Sequence, residues 1–151
     1  MAQKQYELKS SPVHLLRRCG QYAADLFDAE TRGSDLTPRQ LTVLIAVDAD
    51  DGATQTALVA ATGIDRSTLA DMVARMIQRD LIVRKRTEAD ARANSVRLSP
   101  KGKRALASAL TALKKTEAKL LAALPASRRA EFLKSLALIA ANAGGDCSLR
   151  A

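Results

Sequence analysis

The sequence predicts a mainly helical protein with one small β-hairpin, an α+β fold, and three observations support this fold class. The chain of 151 residues is long enough for one hydrophobic core, so we expect a single domain. Aromatic residues make up only 3% of the chain and Trp is absent, while Ala and Leu, which favour helices, dominate the apolar residues. Apolar residues recur at helical spacing along most of the chain, and strand-like patterns are confined to residues 81–98.

Two helices are predicted near the N-terminus. Pro12 opens the first, which runs to about Glu30. Its apolar residues recur every three or four positions and form one face: Leu15, Leu16, Cys19, Tyr22, Ala23, Leu26 and Phe27. Residues 37–40 read Thr-Pro-Arg-Gln, a capping box with Pro at the first helical position, so the second helix is predicted over residues 38–48.

A pair of short helices follows. Thr54 caps the third helix, predicted over residues 55–62, and Gly63 ends it in the left-handed conformation. Asp65 is the expected cap of the fourth helix. The buried stripe of the fourth helix is predicted to consist of Leu69, Met72, Val73, Met76 and Ile77. Two helices joined by a glycine turn are typical of a helix-turn-helix, although the same pattern also occurs in other helical proteins.

A β-hairpin is predicted directly after these helices. Residues 81–86 are β-branched and basic, residues 94–98 alternate apolar with polar, and a polar run between them forms a long tip. A helix-turn-helix followed by a hairpin is a winged helix, in which the second helix enters the major groove of DNA and the hairpin reaches the flanking minor groove. The alternative is a hairpin that only covers the helices.

Two more helices are predicted in the last third of the chain. The fifth starts with Ser99 as its cap and Pro100 in its first turn, and its leucine stripe extends to a break at Pro125. The sixth is predicted over residues 126–142 and ends at the Gly-Gly pair 144–145. The first and last helices carry more apolar surface than one small lobe can cover. We therefore predict that a second copy of the chain covers it in a homodimer. This apolar surface includes Leu16, Leu26, Phe132, Leu136 and Ile139.

The positive charge is concentrated in the middle of the chain. The formal net charge is +8, and residues 63–104 contain 11 Lys and Arg against 5 Asp and Glu. Residues 1–62 contain 6 against 8, and residues 105–151 contain 7 against 3. A basic segment over the predicted winged helix is expected of a protein that binds the phosphate backbone, although a solvated basic surface has the same composition.

Other classes of function are disfavoured. No apolar stretch approaches the roughly 18 residues of a membrane-spanning helix, and no signal peptide is recognisable, so we expect a cytoplasmic protein with no membrane partner. The chain has one histidine, no glycine-rich phosphate loop and no metal-ligand cluster, so we expect neither an enzyme nor a cofactor. Cys19 and Cys147 are expected to be reduced thiols, with Cys19 a small buried apolar residue.

The starts of the third and fourth helices supply the first candidate DNA contacts. Hydroxyls and amides in the first turn of a recognition helix contact phosphates or base edges, which points to Arg66, Ser67 and Thr68, with additional capping as the alternative. Arg75, two turns further on, is expected to reach a phosphate or a guanine, or else to pair with an acidic group of the wing. Secondary candidates at the start of the third helix are Thr54, Gln55 and Thr56.

The predicted hairpin supplies the remaining candidates. Arg92 lies at its tip, where a guanidinium fits a narrow, electronegative minor groove; the alternative is a solvated loop arginine. Strand alternation turns Arg84 and Arg86 to one side and Lys85 to the other. At least one of these three side chains is expected to meet a backbone phosphate.

A motif in this hairpin resembles the wing motif of the multiple antibiotic resistance regulator (MarR) family. The motif reads Asp90-x-Arg92-x-x-x-Val96-x-Leu98-Ser99-x-x-Gly102. Upstream, residues 36–44 resemble the second helix of the family, and residues 65–84 resemble its recognition helix and the entry to the wing. The similarity covers residues 36–104 closely, and outside this span only the helical layout agrees.

This resemblance implies one MarR-like domain over residues 1–151. The winged helix-turn-helix lobe would occupy residues 36–104, and the dimerisation helices residues 10–32 and 105–145. The family pattern further implies a homodimer that binds a pseudo-palindromic operator in double-stranded DNA. Release would be triggered by a small-molecule effector or by cysteine oxidation.

The resemblance also suggests roles for individual residues. The first helix lines the effector pocket in this family, so His14, Arg17 and Arg18 are candidate contacts for an anionic aromatic or acyl ligand. Solvated or salt-bridged surface side chains are the alternative for these three. Asp90 would hold the shape of the wing by pairing with a nearby arginine, because a carboxylate facing phosphate is repelled.

The sequence therefore predicts a ligand-responsive repressor, with activation of transcription as an open alternative. Two rival functions remain. A winged helix can serve as a protein-interaction module, and a regulator can respond to oxidation of Cys19. Arg92 and the basic hairpin argue against the first rival, and the expected burial of Cys19 argues against the second.

Overall fold

A computed structural model describes residues 7–32, 36–85 and 95–143 and confirms the predicted fold class. A 3-10 turn, Leu8–Ser10, precedes the first helix. Within the described ranges the elements are α1, Pro12–Glu30; α2, Pro38–Ala49; β1, Ala53–Thr54; α3, Gln55–Thr62; α4, Arg66–Gln78; β2, Ile82–Lys85; β3, Ser95–Leu98; α5, Pro100–Ala122; and α6, Ala126–Ala143. None of these helices is both long and apolar enough to cross a membrane.

The predicted helix ends are confirmed by their caps. The Thr37 hydroxyl accepts from the Gln40 amide at 3.2 Å and the Gln40 side chain accepts from the Thr37 amide at 3.1 Å, which completes the capping box. Gly63 ends α3 with φ +68°, the left-handed conformation that the sequence predicts. Because each cap depends on residues within one turn, the sequence pattern alone is sufficient to place it.

A three-stranded antiparallel sheet replaces the predicted two-stranded hairpin. The strand order is β1-β3-β2. Ala53 pairs with Val96, and Arg84 pairs with Val96 on the other side of β3. The strand β1 was not predicted, since two residues are too few to show a period and their pairing partners lie more than 40 positions away. This strand joins the wing to the start of α3.

The hydrophobic core lies in the lobe formed by α2, α3, α4 and the sheet, with contributions from α1 and α5. Leu44, Leu69, Met76 and Ile82 are fully buried, and each such side chain stabilises the fold by about 1.5–3 kcal/mol. The predicted buried stripe of α4 is confirmed for Leu69 and Met76. Its other members are partly buried and pack against this core: Met72, Val73 and Ile77.

The start of α5 is tied to the turn that follows α4. The buried Ser99 hydroxyl donates to the Asp80 carbonyl at 2.5 Å and accepts from the Gly102 amide at 2.9 Å. The Ser99 amide donates to the Leu81 carbonyl at 3.1 Å. A Cβ at Gly102 would lie 1.9 Å from the Leu81 oxygen, so this approach of two backbones requires glycine.

The terminal helices leave much of their apolar surface exposed. In α1, Phe27 is buried in the hydrophobic core, but Leu15, Leu16 and Tyr22 are exposed. Cys19 is also exposed, so the expectation that it is buried is wrong for the single chain. The physical reason is that α1 packs through one side, leaving the rest of its apolar stripe uncovered. No residue of α6 is buried.

Candidate nucleic-acid interface

The two helices of the helix-turn-helix are joined by side chains that the sequence predicted as DNA contacts. Gln55 Nε2 donates to the Arg66 carbonyl at 3.3 Å. The Arg66 guanidinium donates to the Thr56 hydroxyl at 3.2 Å, and the Thr54 hydroxyl caps α3 by accepting from the Ala57 amide at 3.2 Å. The structure therefore brings Thr54, Gln55, Thr56 and Arg66 together at the start of both helices.

The first turn of α4 is held by Asp65. Its carboxylate accepts from the Thr68 amide at 2.9 Å, and this hydrogen bond holds the pKa of Asp65 below its usual range. Thr68 is half-buried, whereas Ser67 is exposed. Within the described ranges Ser67 makes no side-chain hydrogen bond. Of the two predicted hydroxyls, Ser67 is therefore the one presented to a ligand.

Arg75 is exposed on α4, beside the face of the helix that carries Ser67. It was predicted either to contact DNA or to pair with an acidic group of the wing. In the part of the chain that the structure describes, Arg75 takes part in no ion pair or hydrogen bond through its side chain. The acidic residues of the wing tip lie outside the described residues, so both roles of Arg75 stay predictions.

A shallow groove separates α4 from the wing. Its volume is about 220 Å³, and Ala70, Ala74, Arg84 and Val96 line it. Arg84 is exposed and projects from β2 beside this groove. The small side chains of α4 leave the groove open, so Arg84 and the exposed face of α4 belong to one continuous surface.

The tip of the wing lies outside the described residues. This applies to Arg86, Asp90 and Arg92, whose proposed roles stay predictions from the sequence. Lys85 belongs to β2, where its backbone pairs with Ser95. Among the wing side chains that the structure describes, the positive charge lies on Arg84 of β2 and on one arginine of β3.

That arginine, Arg97, is a basic residue that the sequence analysis did not select. It is exposed, and its backbone pairs with Val83 of β2. Because Val83 and Arg84 are adjacent in one strand, Arg97 lies on the opposite face of the sheet from Arg84. It borders a cavity of about 550 Å³ that Asp48 and Lys103 also line. The alternation of residues 94–98 contained the signal, since it places Arg97 on the polar side of the strand.

The residues proposed to bind an effector lie on the first half of α1. His14 is half-buried, and Arg17 and Arg18 are exposed. A cavity of about 570 Å³ lies at the other end of α1, between Glu30, Leu81 and Lys115, and none of the three proposed effector contacts lines it. Within one chain, their pocket therefore stays a prediction.

Comparison with known proteins agrees with this geometry. Residues 34–93 match the sequence profile described as the MarR family. The transcriptional regulator HosA of Escherichia coli is 32% identical over 127 residues, which cover 84% of this chain and 93% of HosA.

Solved structures agree over almost the whole chain. The PcaV transcriptional regulator from Streptomyces coelicolor, in complex with its natural ligand, is 30% identical with a TM-score of 0.83, covering 93% of this chain and 97% of PcaV. The transcriptional repressor CouR, bound to a 23-mer DNA duplex, is 30% identical with a TM-score of 0.81, covering 93% of this chain and 99% of CouR.

These similarities extend over the winged lobe and the terminal helices together, and the relatives are transcriptional regulators. A winged helix of this kind binds DNA through its second helix and its wing. The chain belongs to the MarR family of DNA-binding transcriptional regulators.

Proposed function

We propose that this protein is a ligand-responsive repressor, which binds a pseudo-palindromic operator as a cytoplasmic homodimer and releases it when a small effector binds. The observation that carries the proposal is the continuous surface formed by Ser67, Arg75 and Arg84, which joins the recognition helix to the wing. A repressor of similar fold, CouR, has been solved on a DNA duplex.

The lobe over residues 36–104 supplies the DNA contacts in this proposal. Two α4 helices lie about one turn of DNA apart in successive major grooves, and the two wings reach the adjacent minor grooves. Arg92 reads a narrow A·T-rich minor groove from the wing tip. Arg92→Ala should weaken operator binding by about 1–3 kcal/mol per half-site and reduce the preference for A·T flanks.

The terminal helices, residues 10–32 and 105–145, form the dimer interface. Support comes from their exposed apolar residues, among them Val13 at 78%, Leu138 at 70% and Ile139 at 55% exposure. Large apolar side chains that a single chain leaves exposed on neighbouring turns of a helix are typical of an interaction site. Sedimentation should show a dimer at micromolar concentration; a monomer with native helicity would contradict the proposal.

The effector is an anionic aromatic or acyl compound, held against His14, Arg17 and Arg18. CouR has been solved with p-coumaroyl-CoA and PcaV with its natural ligand, so relatives of this fold do bind small molecules. The effector lowers operator affinity only if it binds better to a dimer whose recognition helices have the wrong spacing.

The deciding experiment is footprinting of the purified protein on DNA upstream of its own gene, followed by a screen of aromatic acids and acyl thioesters for release. Binding to random duplex should weaken steeply as salt rises, because bound phosphates release counterions. A flat salt dependence together with no footprint would favour a protein-interaction module instead.

One observation favours a second candidate, a redox-responsive regulator. Cys19 is exposed in the single chain, which removes the reason to regard it as inert. The test is mild peroxide treatment of the wild type and of Cys19→Ser. Loss of operator binding in the wild type alone would assign regulation to this thiol, and equal binding by both would argue against a redox role for Cys19.

A further inference from the structure

The centre of the exposed face of α4 carries a carboxylate. Ser67, Asp71, Ala74 and Gln78 follow one another at spacings of three and four residues and are all exposed, so they share one face of the helix. The opposite face is fixed in the core by Leu69, which is fully buried. Asp71 therefore lies at the centre of the surface that a recognition helix turns toward the base pairs.

Asp71 has no cationic partner within the part of the chain that the structure describes. Arg75 lies four residues further along α4, a spacing that suits an Asp–Arg pair. Yet neither side chain takes part in an ion pair or hydrogen bond in the described ranges 7–32, 36–85 and 95–143. An unpaired carboxylate on DNA is repelled by phosphates and by acceptor atoms on base edges. It weakens binding unless it meets a hydrogen-bond donor.

The major groove offers two such donors, the N4 amino group of cytosine and the N6 amino group of adenine. Adenine also presents its N7 acceptor beside N6, where it would face the second carboxylate oxygen. Cytosine presents only a donor. From this chemistry we infer that Asp71 is a specificity-determining residue, which accepts a hydrogen bond from N4 of a cytosine in each operator half-site. The inference rests on the proposed function, because it requires α4 to lie in the major groove.

The neighbours of Asp71 fit this role. Ala70 and Ala74 are exposed and carry single methyl groups, so they allow α4 to approach the base pairs closely. Alanine methyls also pack against the C5 methyl of thymine. Guanine and thymine at the position read by Asp71 present O6 and O4 acceptors, which the carboxylate repels. Asp71 therefore contributes discrimination more than affinity.

The test is selection of bound duplexes from a randomised library by the full-length wild type, Asp71→Ala and Asp71→Asn. Glu7→Ala is the charge-matched control, since Glu7 is exposed outside the DNA-binding lobe and the dimerisation helices and its loss also removes one negative charge. We expect the wild type and the control to enrich cytosine at one position of each half-site. Asp71→Ala should lose this preference by about tenfold. Asp71→Asn should shift it toward adenine, because an amide pairs with both N6 and N7.

Affinity for random duplex gives an independent readout. Asp71→Ala should bind random DNA more tightly than the Glu7→Ala control, because only Asp71 lies on the surface that meets the negatively charged DNA. If both Asp71 variants enrich the same bases as the wild type with equal strength, the inference is overturned and the proposed function stands. A shift confined to an adenine position overturns the assignment to cytosine. If the wild type enriches no sequence, the proposed function fails as well. Asp71→Asn keeps the side-chain shape, so a folding defect in Asp71→Ala alone does not decide the result.

Discussion

The winged lobe and the terminal helices bury their apolar residues to different degrees, although Leu and Ala are abundant in both. In the lobe, Leu44 and Leu69 have no exposed surface. In the terminal helices, Leu16 is 44% exposed and Leu138 is 70% exposed. The core of the lobe is therefore completed within one chain, with contributions from Phe27 of α1 and Leu106 of α5, whereas the terminal helices leave apolar side chains exposed, as at an interaction site. In the proposed dimer, the same residue types stabilise the fold in one region and the assembly in the other.

The largest expected effect comes from truncating a leucine in each region. Leu69→Ala should lower the free energy of unfolding by about 2–5 kcal/mol, because it leaves a cavity in the lobe. Leu138→Ala should change the stability of the single chain by less than about 0.5 kcal/mol. In a dimer it should raise the dissociation constant instead. Denaturation at two protein concentrations separates these effects, and equal costs for both variants at low concentration would contradict the comparison.

Glycine to alanine substitutions sharpen the same contrast. Gly102→Ala should cost about 1–3 kcal/mol, since its Cβ would lie 1.9 Å from the Leu81 carbonyl oxygen. A Cβ added to Gly20 in α1 would meet no atom within 4 Å beyond its chain neighbours and the adjacent backbone of its own helix, so Gly20→Ala should stabilise the helix by about 0.5–1 kcal/mol. Thermal unfolding tests whether Gly102→Ala lowers the melting temperature and Gly20→Ala raises it. A destabilised Gly20→Ala would show that a partner chain packs against this position.

A backbone effect of intermediate size is expected at Gly63. Its φ is +68° and the space around it is open, so Gly63→Ala adds backbone strain of about 1 kcal/mol without a steric clash. Gly63→Asn should cost less, because Asn tolerates this conformation. Chemical denaturation of the two variants tests which loses more free energy of unfolding. Equal losses would show that a contact other than the backbone strain decides the stability at this position.

The smallest expected effect is a pH dependence from the cap of α4. Asp65 has a folded pKa below its ordinary value of 3.8, so its charged form stabilises the lobe above that pH. The contribution is lost as pH falls through the lower folded pKa. Asp65→Asn keeps a capping group without the charge, and should lose less stability than the wild type between pH 6 and about pH 3. Glu30 also has a lowered pKa, caused by Lys119 of α5, so Glu30→Gln provides the matching measurement in the terminal helices.

Local signals made much of the fold predictable. The caps at Thr37, Thr54, Asp65 and Ser99 are formed as expected, because each depends on residues three positions away. The strand β1 was missed because its identity depends on a distant pairing with β3. The exposure of Cys19 was missed because an apolar stripe shows that a helix has a partner, but not whether that partner belongs to the same chain.

The candidate DNA surface was predicted in part for a similar reason. Arg75 and Ser67 were selected because their residue types suit phosphate or base contacts. Asp71 was not selected, and its place at the centre of the exposed face of α4, opposite the fully buried Leu69, is seen in the structure. Arg97 was also not selected, although the alternation of residues 94–98 places it on the polar side of β3.

Hydrogen bonds connect the start of α5 directly to the turn that follows α4. Ser99 bonds to Asp80 and Leu81, and Lys101 Nζ donates to the Arg79 carbonyl at 2.8 Å. We therefore expect a rotation of α5 to move α4, which is 13 residues long, or about 20 Å. A tilt of about 6° moves its far end by about 2 Å over that length. In the proposed two-fold dimer both α4 helices would move. The distance between them would change by up to about 4 Å, which is more than the ~3.4 Å between successive base pairs.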